Sequence, residues 1–454
     1  MAVRELRRVM GFWDVVLFLV AAVVGLRWIA TAAAAGPSAL VIWVIAFAAF
    51  FVPLAVTVID LSARFPEEGG LYVWVKRAFG DFPGFMAGWM YWTSNLSYFP
   101  ALLYFAAANA LFIGGSSWMG LGDSAPYFIG FSLAGLALAL WLNVVGLGVG
   151  KWLHNAGGLG TWIPIGFLVA MGAVALARFG PATPIAAGDL VPSTSRQDII
   201  LWATIAFGFA GLETASLMSE EIVDAGRTIR RAILTAGAII TAIYVLGTAA
   251  ILLALPAGQV SSLAGFMQAV QGTGERVGFP GAAAVVAVLI TIGNLGGVGA
   301  WLACTARLPF VAGLDQKLPP AFGRLHPRWG TPHVSLYVQV VGAAVFVVLG
   351  QAGSTVQGAY EVLVNIGVIS YFIPYLLLFA AMIKLSPGRP VARALAGLGL
   401  LVTAVSIGLA ALPPEDAADP GLVVGKVVGS CVGLLLLGAL LYARSRGRMN
   451  AGRG

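Results

Sequence analysis

The sequence predicts an all-α polytopic membrane protein of about twelve transmembrane helices, two of them broken in mid-membrane. Three observations support this fold class. The 454 residues are 59% hydrophobic and only 10% charged, which is more apolar surface than a soluble core of this length can bury. Apolar stretches of about 20 residues alternate with charged or Gly- and Pro-rich breaks. Lys and Arg are concentrated in every second break.

Twelve apolar stretches are each long enough to cross a hydrocarbon core of about 30 Å. The longest connections between them, 63–81 and 308–332, contain apolar and aromatic residues suited to a membrane surface. The predicted spans are 12–35, 39–62, 82–113, 125–146, 154–178, 198–220, 231–255, 280–307, 333–351, 360–384, 392–412 and 421–443.

The positive charges predict a topology. With a cytoplasmic N-terminus, 21 of the 26 Lys and Arg fall in inner segments and three in outer segments, while Arg27 and Lys426 lie within spans. This asymmetry follows the positive-inside rule and predicts an even number of spans with both termini cytoplasmic. The net charge of +7 then reflects topology, so we expect no nucleic-acid partner. The expected surroundings are the lipid bilayer of the cell (cytoplasmic) membrane.

Spans 1 and 6 contain features that interrupt a helix. Gly25 precedes Arg27 at about half depth in span 1, and Gly208 and Gly211 precede Glu213 in span 6. Glycine weakens a helix, and a charge inside the membrane must face a cavity, a partner or a solute. Because the two spans lie five helices apart, we expect a 5+5 inverted-repeat core that binds a solute at both breaks. Free N–H groups attract a carboxylate and free carbonyls an ammonium, which favours an amino acid.

Each feature has a second interpretation. The glycines are packing contacts between helices if the spans are continuous. Arg27 and Glu213 neutralise one another as a structural ion pair in the second interpretation, which does not exclude a direct role in solute binding, gating or proton handling. The acidic pairs Glu67–Glu68 and Glu220–Glu221 are interpreted as loop support or an inner gate.

Three segments resemble signatures of the amino acid–polyamine–organocation (APC) transporter superfamily. Asp60 to Trp92 resembles the signature of helices 2 and 3, Phe207 to Ile233 that of helix 6, and Trp301 to Pro332 the exit of helix 8. Within the superfamily, PEEGGLYVWV and SYFPALLYF are most similar to bacterial glutamate/GABA antiporters. The resemblance implies an inverted-repeat fold with broken helices 1 and 6, and transport by alternating access.

The resemblance also implies roles for individual residues. Gly25-Leu26-Arg27 replaces a helix 1 motif that is commonly Gly-Ser-Gly, and only the first glycine is kept. The substrate-binding residues expected by similarity are Val24, Gly25, Leu26, Arg27, Tyr91, Ser94, Asn95, Phe207, Gly208, Phe209, Ala210, Gly211 and Trp301. Those expected in gating or proton handling are Phe207, Glu213 and Arg27. Without the resemblance, Trp301 is interpreted as core packing, Tyr91 as an interface aromatic, and Asn95 and Asn294 as amides that bond neighbouring helices.

The predicted function is a secondary active transporter, permease or exchanger, for neutral or acidic amino acids. A polyamine or organic amine transporter and a membrane solute sensor with a transporter fold remain alternatives. We expect no enzyme, metal site or cofactor, because His154, His326 and His333 lack ligand spacing. Thr305 is weak support for a sodium site. A fixed positive charge from Arg27, where sodium-coupled relatives place an ion, favours exchange or facilitated flux over sodium symport.

The chain is divided by prediction into a transport core, residues 1–390, and a C-terminal part, residues 391–454. The core comprises helices 1 to 10. The C-terminal part comprises helices 11 and 12 and a cytoplasmic tail. A monomer and a homodimer both remain open.

Overall fold

The computed structural model of the chain describes residues 10–65, 70–145, 147–192, 195–217, 222–306, 308–309, 317–414, 417 and 419–451. The acidic pairs Glu67–Glu68 and Glu220–Glu221 lie outside the described residues.

Helices dominate the structure, and the all-α prediction is confirmed. Within the described residues the helices that correspond to the predicted spans are numbered α1 to α12, and the broken helices α1 and α6 have halves a and b. Their bounds are α1a Phe12–Val23, α1b Leu26–Ala34, α2 Ala39–Arg64, α3 Asp81–Ile113, α4 Ala125–Val145, α5 Leu147–Phe179, α6a Arg196–Phe207, α6b Thr214–Leu217, α7 Ala225–Ala254, α8 Ala282–Thr305, α9 His333–Gln351, α10 Val356–Leu385, α11 Pro390–Ala410 and α12 Pro420–Ala451.

Eleven of these spans are apolar and long enough to cross a membrane when the bent pair α1a and α1b is taken as one. Over the residues that the structure describes, each half of α6 is too short on its own, because the break at 208–213 divides the predicted span 198–220. Most predicted ends agree with the structure within about two residues. The clearest differences are at α12, which ends at Ala451, at α5, which begins at Leu147, and at α7, which begins at Ala225.

Two further helices lie in connections. The helix Gly70–Phe79 lies in the connection between α2 and α3, where apolar residues suited to the membrane surface had been noted. The helix Gly265–Val277 lies between α7 and α8 and was not predicted. Hydropathy alone misses such helices because they are short and amphipathic.

Glycines set the distance between α5 and α8. A Cβ at Gly160 of α5 would lie 2.3 Å from the carbonyl oxygen of Leu289, and a Cβ at Gly293 of α8 would lie 2.8 Å from the carbonyl of Gly160. The two backbones therefore touch, as small residues allow in membrane helices. This contact forms one wall of the cavity described below.

A buried carboxylate joins α2 to the connection between α10 and α11. Asp60 of α2 accepts a hydrogen bond from Arg64 at 2.5 Å, pairs with Arg389 and lies 3.2 Å from the hydroxyl of Ser386. Arg64 also donates to the carbonyl of Leu385 at 2.6 Å. The last turn of α10 is thus held against α2.

The last two helices pack on the first ten. α11 contacts α2, α6a and α10, while α12 contacts α3 and α10. The division of the chain at residue 390 stays a prediction.

Candidate functional site

The break in α1 is a two-residue extended segment. Val24 and Gly25 are extended, with φ −70° and −123°, and α1a and α1b are bent by 48° across them. Glycine is required here because a Cβ at Gly25 would lie 2.8 Å from Cδ1 of Trp28. The break leaves the last carbonyls of α1a and the first N–H groups of α1b without helical partners.

The break in α6 is a run of turns from Gly208 to Glu213. Gly211 has φ +119°, a conformation that favours glycine. A Cβ at Gly208 would lie 2.9 Å from Cη2 of Trp43. Both expected breaks in the chain are therefore present, and glycine serves each of them through close contact or backbone conformation.

One tyrosine of α7 connects the two breaks. The hydroxyl of Tyr244 lies 2.7 Å from the carbonyl oxygen of Val23 and 2.8 Å from that of Gly208, and it accepts the N–H of Gly25 at 3.4 Å. Its ring stacks on Trp43 at 4.2 Å between centroids. The breaks of α1 and α6 are thus held side by side.

A cavity of about 110 Å³ lies beside the two breaks. Its walls come from α1, α3, α5, α6, α8 and α10. Aromatic rings make up much of the lining: Trp28, Tyr98, Phe207, Trp301 and Tyr371. A space of this size, with aromatic rings and polar groups in its walls, suits a small solute.

Arg27 is the one formally charged residue among the described residues that line this cavity. Its side chain is only 2% exposed. The guanidinium lies 4.1 Å from the ring centroid of Trp28 and 4.3 Å from that of Tyr98. Its buried Nη1 has no hydrogen-bond partner among the residues that the structure describes. The rings hold the cation in place, but a hydrogen-bond acceptor is still required.

Glu213 lies at the end of the α6 break and is held by three tyrosines. Its Oε1 accepts hydrogen bonds from Tyr91 at 3.0 Å and from Tyr371 at 2.6 Å, and its Oε2 accepts one from Tyr375. The Tyr375 hydroxyl in turn accepts the N–H of Gly211 at 3.0 Å. This cluster, Glu213 with Tyr91, Tyr371 and Tyr375, is called the tyrosine cage below.

The two buried charges do not pair with one another. No ion pair joins Arg27 and Glu213, both of which the structure describes. Glu213 accepts hydrogen bonds from the tyrosine hydroxyls of the cage, whereas Arg27 lines the cavity. The structural ion pair is therefore not formed in this structure.

The structure brings eight of the thirteen predicted substrate-binding residues to the cavity wall. They are Val24, Gly25, Leu26, Arg27, Phe207, Ala210, Gly211 and Trp301. Phe207 contacts the rings of Trp28 and Tyr371 edge-on at 5.3 and 5.4 Å. Whether these residues bind a solute or gate it stays a prediction.

Five predicted residues lie outside the lining. Tyr91 belongs to the tyrosine cage. Ser94 and Asn95 donate hydrogen bonds to carbonyls of their own helix, at 2.8 Å and 3.1 Å. Gly208 faces Tyr244, and Phe209 packs with Trp43, Phe47 and Phe51. Their part in solute binding also stays a prediction.

Several lining residues were not predicted. Tyr98 and Leu102 of α3 line the cavity one and two turns beyond Asn95, on the same face of the helix. Asn294 of α8 also lines the cavity, although its Nδ2 donates to the carbonyl of Ile290 at 2.7 Å. The i, i+3 and i+7 spacing from Asn95 and Tyr91 was the available signal for Tyr98.

The chain is similar to a known protein family and to several transporters. Residues 10–422 match the sequence model of a family described as amino acid permease. An uncharacterised transporter of Legionella pneumophila is 27% identical over 429 residues, which cover 90% of this chain and 91% of the relative.

Two further relatives have names that state a solute. A probable agmatine/putrescine antiporter of Lactococcus lactis is 23% identical over 78% of this chain and 75% of its own length. A glutamate/serine transporter of Bacillus subtilis is 23% identical over 76% of this chain and 66% of its own length. One name refers to amines and the other to amino acids.

Proposed function

We propose that this chain, which belongs to the amino acid permease family, is a secondary active transporter that moves neutral or acidic amino acids by alternating access. Membership of a transporter family confirms the predictions of a multi-pass membrane transporter and of a protein that is not an enzyme. The solute, the coupling and the cytoplasmic location of the termini are part of the proposal. The observation that carries it is the buried, unpartnered Nη1 of Arg27 in the cavity.

A carboxylate is the group that this site would bind. The guanidinium donates in a planar geometry that matches a carboxylate. Leu26 and Arg27 also begin α1b, so their backbone N–H groups point toward the break, where the helix dipole attracts an anion. Side chain and backbone of Arg27 thus favour the same ligand charge.

The ammonium group of an amino acid would bind at the other side of the α1 break. Ala21 and Ala22, in the last turn of α1a, line the cavity. Their carbonyls face the extended segment, where the helix provides no N–H group for them. The negative end of the α1a dipole favours a cation there. The groups that would bind the two charges of a zwitterion therefore lie within a few residues of one another in α1.

Alternating access requires a barrier that opens on each side. Phe207 and Trp28, in edge-on contact at 5.3 Å, form an aromatic layer between α1b and α6a. The tyrosine cage joins α3, α6 and α10 next to Tyr371, which lines the cavity. We assign Phe207 to one barrier and Glu213 with its cage to the other.

Sodium is not needed to explain the site. Arg27 supplies a fixed positive charge at the α1 break, where sodium-coupled carriers of this architecture place an ion. Exchange or facilitated flux follows from this arrangement more directly than sodium symport. We therefore expect uptake to be unchanged when sodium is replaced by potassium or choline, and strict dependence on a sodium gradient would contradict the assignment.

Two measurements test the proposal. A thermal-shift screen of the purified protein against amino acids and simple amines identifies ligands, because a ligand that binds only the folded state stabilises it. Uptake of the best labelled ligand into proteoliposomes then separates a carrier from a sensor. A solute that binds but never crosses the bilayer would favour the sensor.

Arg27→Met is the decisive variant. A charge-assisted hydrogen bond contributes about 1.5–3 kcal/mol, so affinity for the amino acid should fall roughly 10- to 150-fold. Arg276→Met is the matched control, since Arg276 also stacks on a ring, that of Phe179 at 5.5 Å, but lies outside the cavity. A polyamine carrier predicts the opposite sign, because removing Arg27 would then increase the uptake of putrescine. Unchanged amino acid affinity in a folded Arg27→Met protein would refute the proposal.

A further inference from the structure

The connection between α10 and α11 carries several positive charges on its surface. Lys384 lies in the last turn of α10, Arg389 directly precedes α11, and Arg393 lies in the first turn of α11. All three residues are exposed, and the sequence contains no Asp or Glu between residues 362 and 414. These three residues are called the α10–α11 basic surface below. The function proposed above does not use them.

A single buried carboxylate neutralises part of this charge. Asp60 pairs with Arg389, and it also pairs with Arg64 at 2.5 Å. Lys384 and Arg393 form no ion pair with any residue that the structure describes. The side chain of Arg389 is still 58% exposed although it reaches Asp60. The basic surface therefore keeps an excess of positive charge that is open to a ligand.

The basic surface lies at the level expected for lipid headgroups. α11 is apolar and long enough to span a membrane, and Leu401 and Val405 on it are more than half exposed, so acyl chains cover this helix. Val391, between the two arginines, is 73% exposed. Phe79 is also exposed, and its ring centroid lies 5.0 Å from the Nζ of Lys384. Exposed apolar and aromatic groups beside basic ones are typical of the layer between headgroups and acyl chains.

We propose that the α10–α11 basic surface binds the headgroup phosphate of an anionic phospholipid. A guanidinium matches the geometry of a phosphate, and Lys384 adds a point charge. Basic groups at this level are attracted to anionic lipids. Phosphatidylcholine carries the same phosphate but also a choline cation, which the basic surface repels. The charge of the surface therefore selects an anionic headgroup.

The lipid would compete with Asp60 for Arg389. Asp60 and its partners hold the last turn of α10 against α2. A phosphate that binds Arg389 leaves Asp60 with Arg64 and the hydroxyl of Ser386, so one contact between the two helices is lost. Because α10 also carries Tyr371 of the tyrosine cage, the lipid would act on a helix of the transport site. This inference does not depend on which solute is carried.

Thiol labelling of detergent-purified protein tests the site. Val391→Cys is introduced together with Cys304→Ser and Cys431→Ser, and the new thiol is modified with N-ethylmaleimide, which is uncharged. Dioleoylphosphatidylglycerol should slow the reaction, because the bound headgroup covers the thiol and its phosphate disfavours the thiolate. The lipid concentration that gives half of the effect measures the affinity. Dioleoylphosphatidylcholine at the same concentrations should not protect.

Two variants in this background measure the part of the arginines. Each basic group near an anionic headgroup contributes roughly a fivefold gain in affinity. Arg393→Gln, which leaves the Asp60 pair intact, should therefore raise the half-effective lipid concentration roughly fivefold, and Arg389→Gln with Arg393→Gln about 30-fold. Arg227→Gln with Arg230→Gln is the matched control, since these two arginines are exposed at the start of α7 and form no ion pair with a described residue. The control should change the value by less than about threefold.

Three results would overturn the inference. The first is an equal loss of affinity in the control, which would indicate general attraction to a positive surface. The second is protection by phosphatidylcholine as strong as that by phosphatidylglycerol. The third is protection by sodium phosphate alone, which would assign the surface to a free anion. If the cysteine variant does not fold, native mass spectrometry of the wild-type chain and of the two double arginine variants with the same two lipids gives the same comparison.

Discussion

Replacing Tyr375 with phenylalanine should loosen the α6 break more than any other single hydroxyl deletion in the tyrosine cage. Its hydroxyl donates to Glu213 and accepts the N–H of Gly211 at 3.0 Å. A hydrogen bond to a charged group contributes about 1.5–3 kcal/mol, and a buried N–H without a partner costs about 1–3 kcal/mol. The sum is roughly 2.5–6 kcal/mol, reduced to about 2–4 kcal/mol if water reaches the freed groups.

Hydrogen exchange of a peptide covering 208–217 measures this change directly. An opening free energy lowered by about 2–4 kcal/mol increases exchange roughly 30- to 1000-fold. Tyr360→Phe is the matched control: Tyr360 is on the same helix and is also buried, but its hydroxyl makes no hydrogen bond to Glu213 or Gly211. Without solute it should change exchange by less than about threefold. Equal effects of the two variants would refute the argument that the cage stabilises the break.

Three further substitutions test the packing around the site. Asp60→Asn should lower the melting temperature, since it breaks a buried pair with Arg64. The expected cost is limited to about 1–3 kcal/mol because the second arginine partner, Arg389, is largely exposed. Asp81→Asn, which breaks only a surface pair, should cost at most about 1 kcal/mol. Gly160→Ala should destabilise the folded protein by about 1–3 kcal/mol in a melting assay, because the new methyl would overlap the α8 backbone. Gly166→Ala is the control and should be neutral, since no atom lies within 4 Å of the new methyl. Tyr244→Phe should increase hydrogen exchange at both breaks together, and an increase at one break alone would contradict its bridging role.

The spans and both breaks could be predicted because their signals are local. Apolar length gives the helices, and the glycines with Arg27 and Glu213 give the interruptions. The amphipathic helix Gly265–Val277 carries no such signal on a hydropathy scale.

The lining residues of α3 lie on the helix face that carries Tyr91 and Asn95, but further along the helix than these two residues. Tyr91 and Tyr98 are two turns apart on α3, and only helix tilt decides which of them reaches the cavity. The tyrosine cage was not predicted because it joins residues of α3, α6 and α10 that are far apart in sequence. Hydropathy patterns contain no information about such hydrogen bonds.

The hydroxyl of Tyr244 has one hydrogen and two carbonyl oxygens within reach, those of Val23 and Gly208. Whichever carbonyl it serves, the other has an open acceptor position. Rotation about a single C–O bond moves that opening from one broken helix to the other, at no net loss of hydrogen bonds. The single hydroxyl hydrogen of Tyr244 can therefore bond the carbonyl of only one broken helix at a time. An ammonium group that binds one of the two carbonyls favours the hydroxyl rotamer that donates to the other.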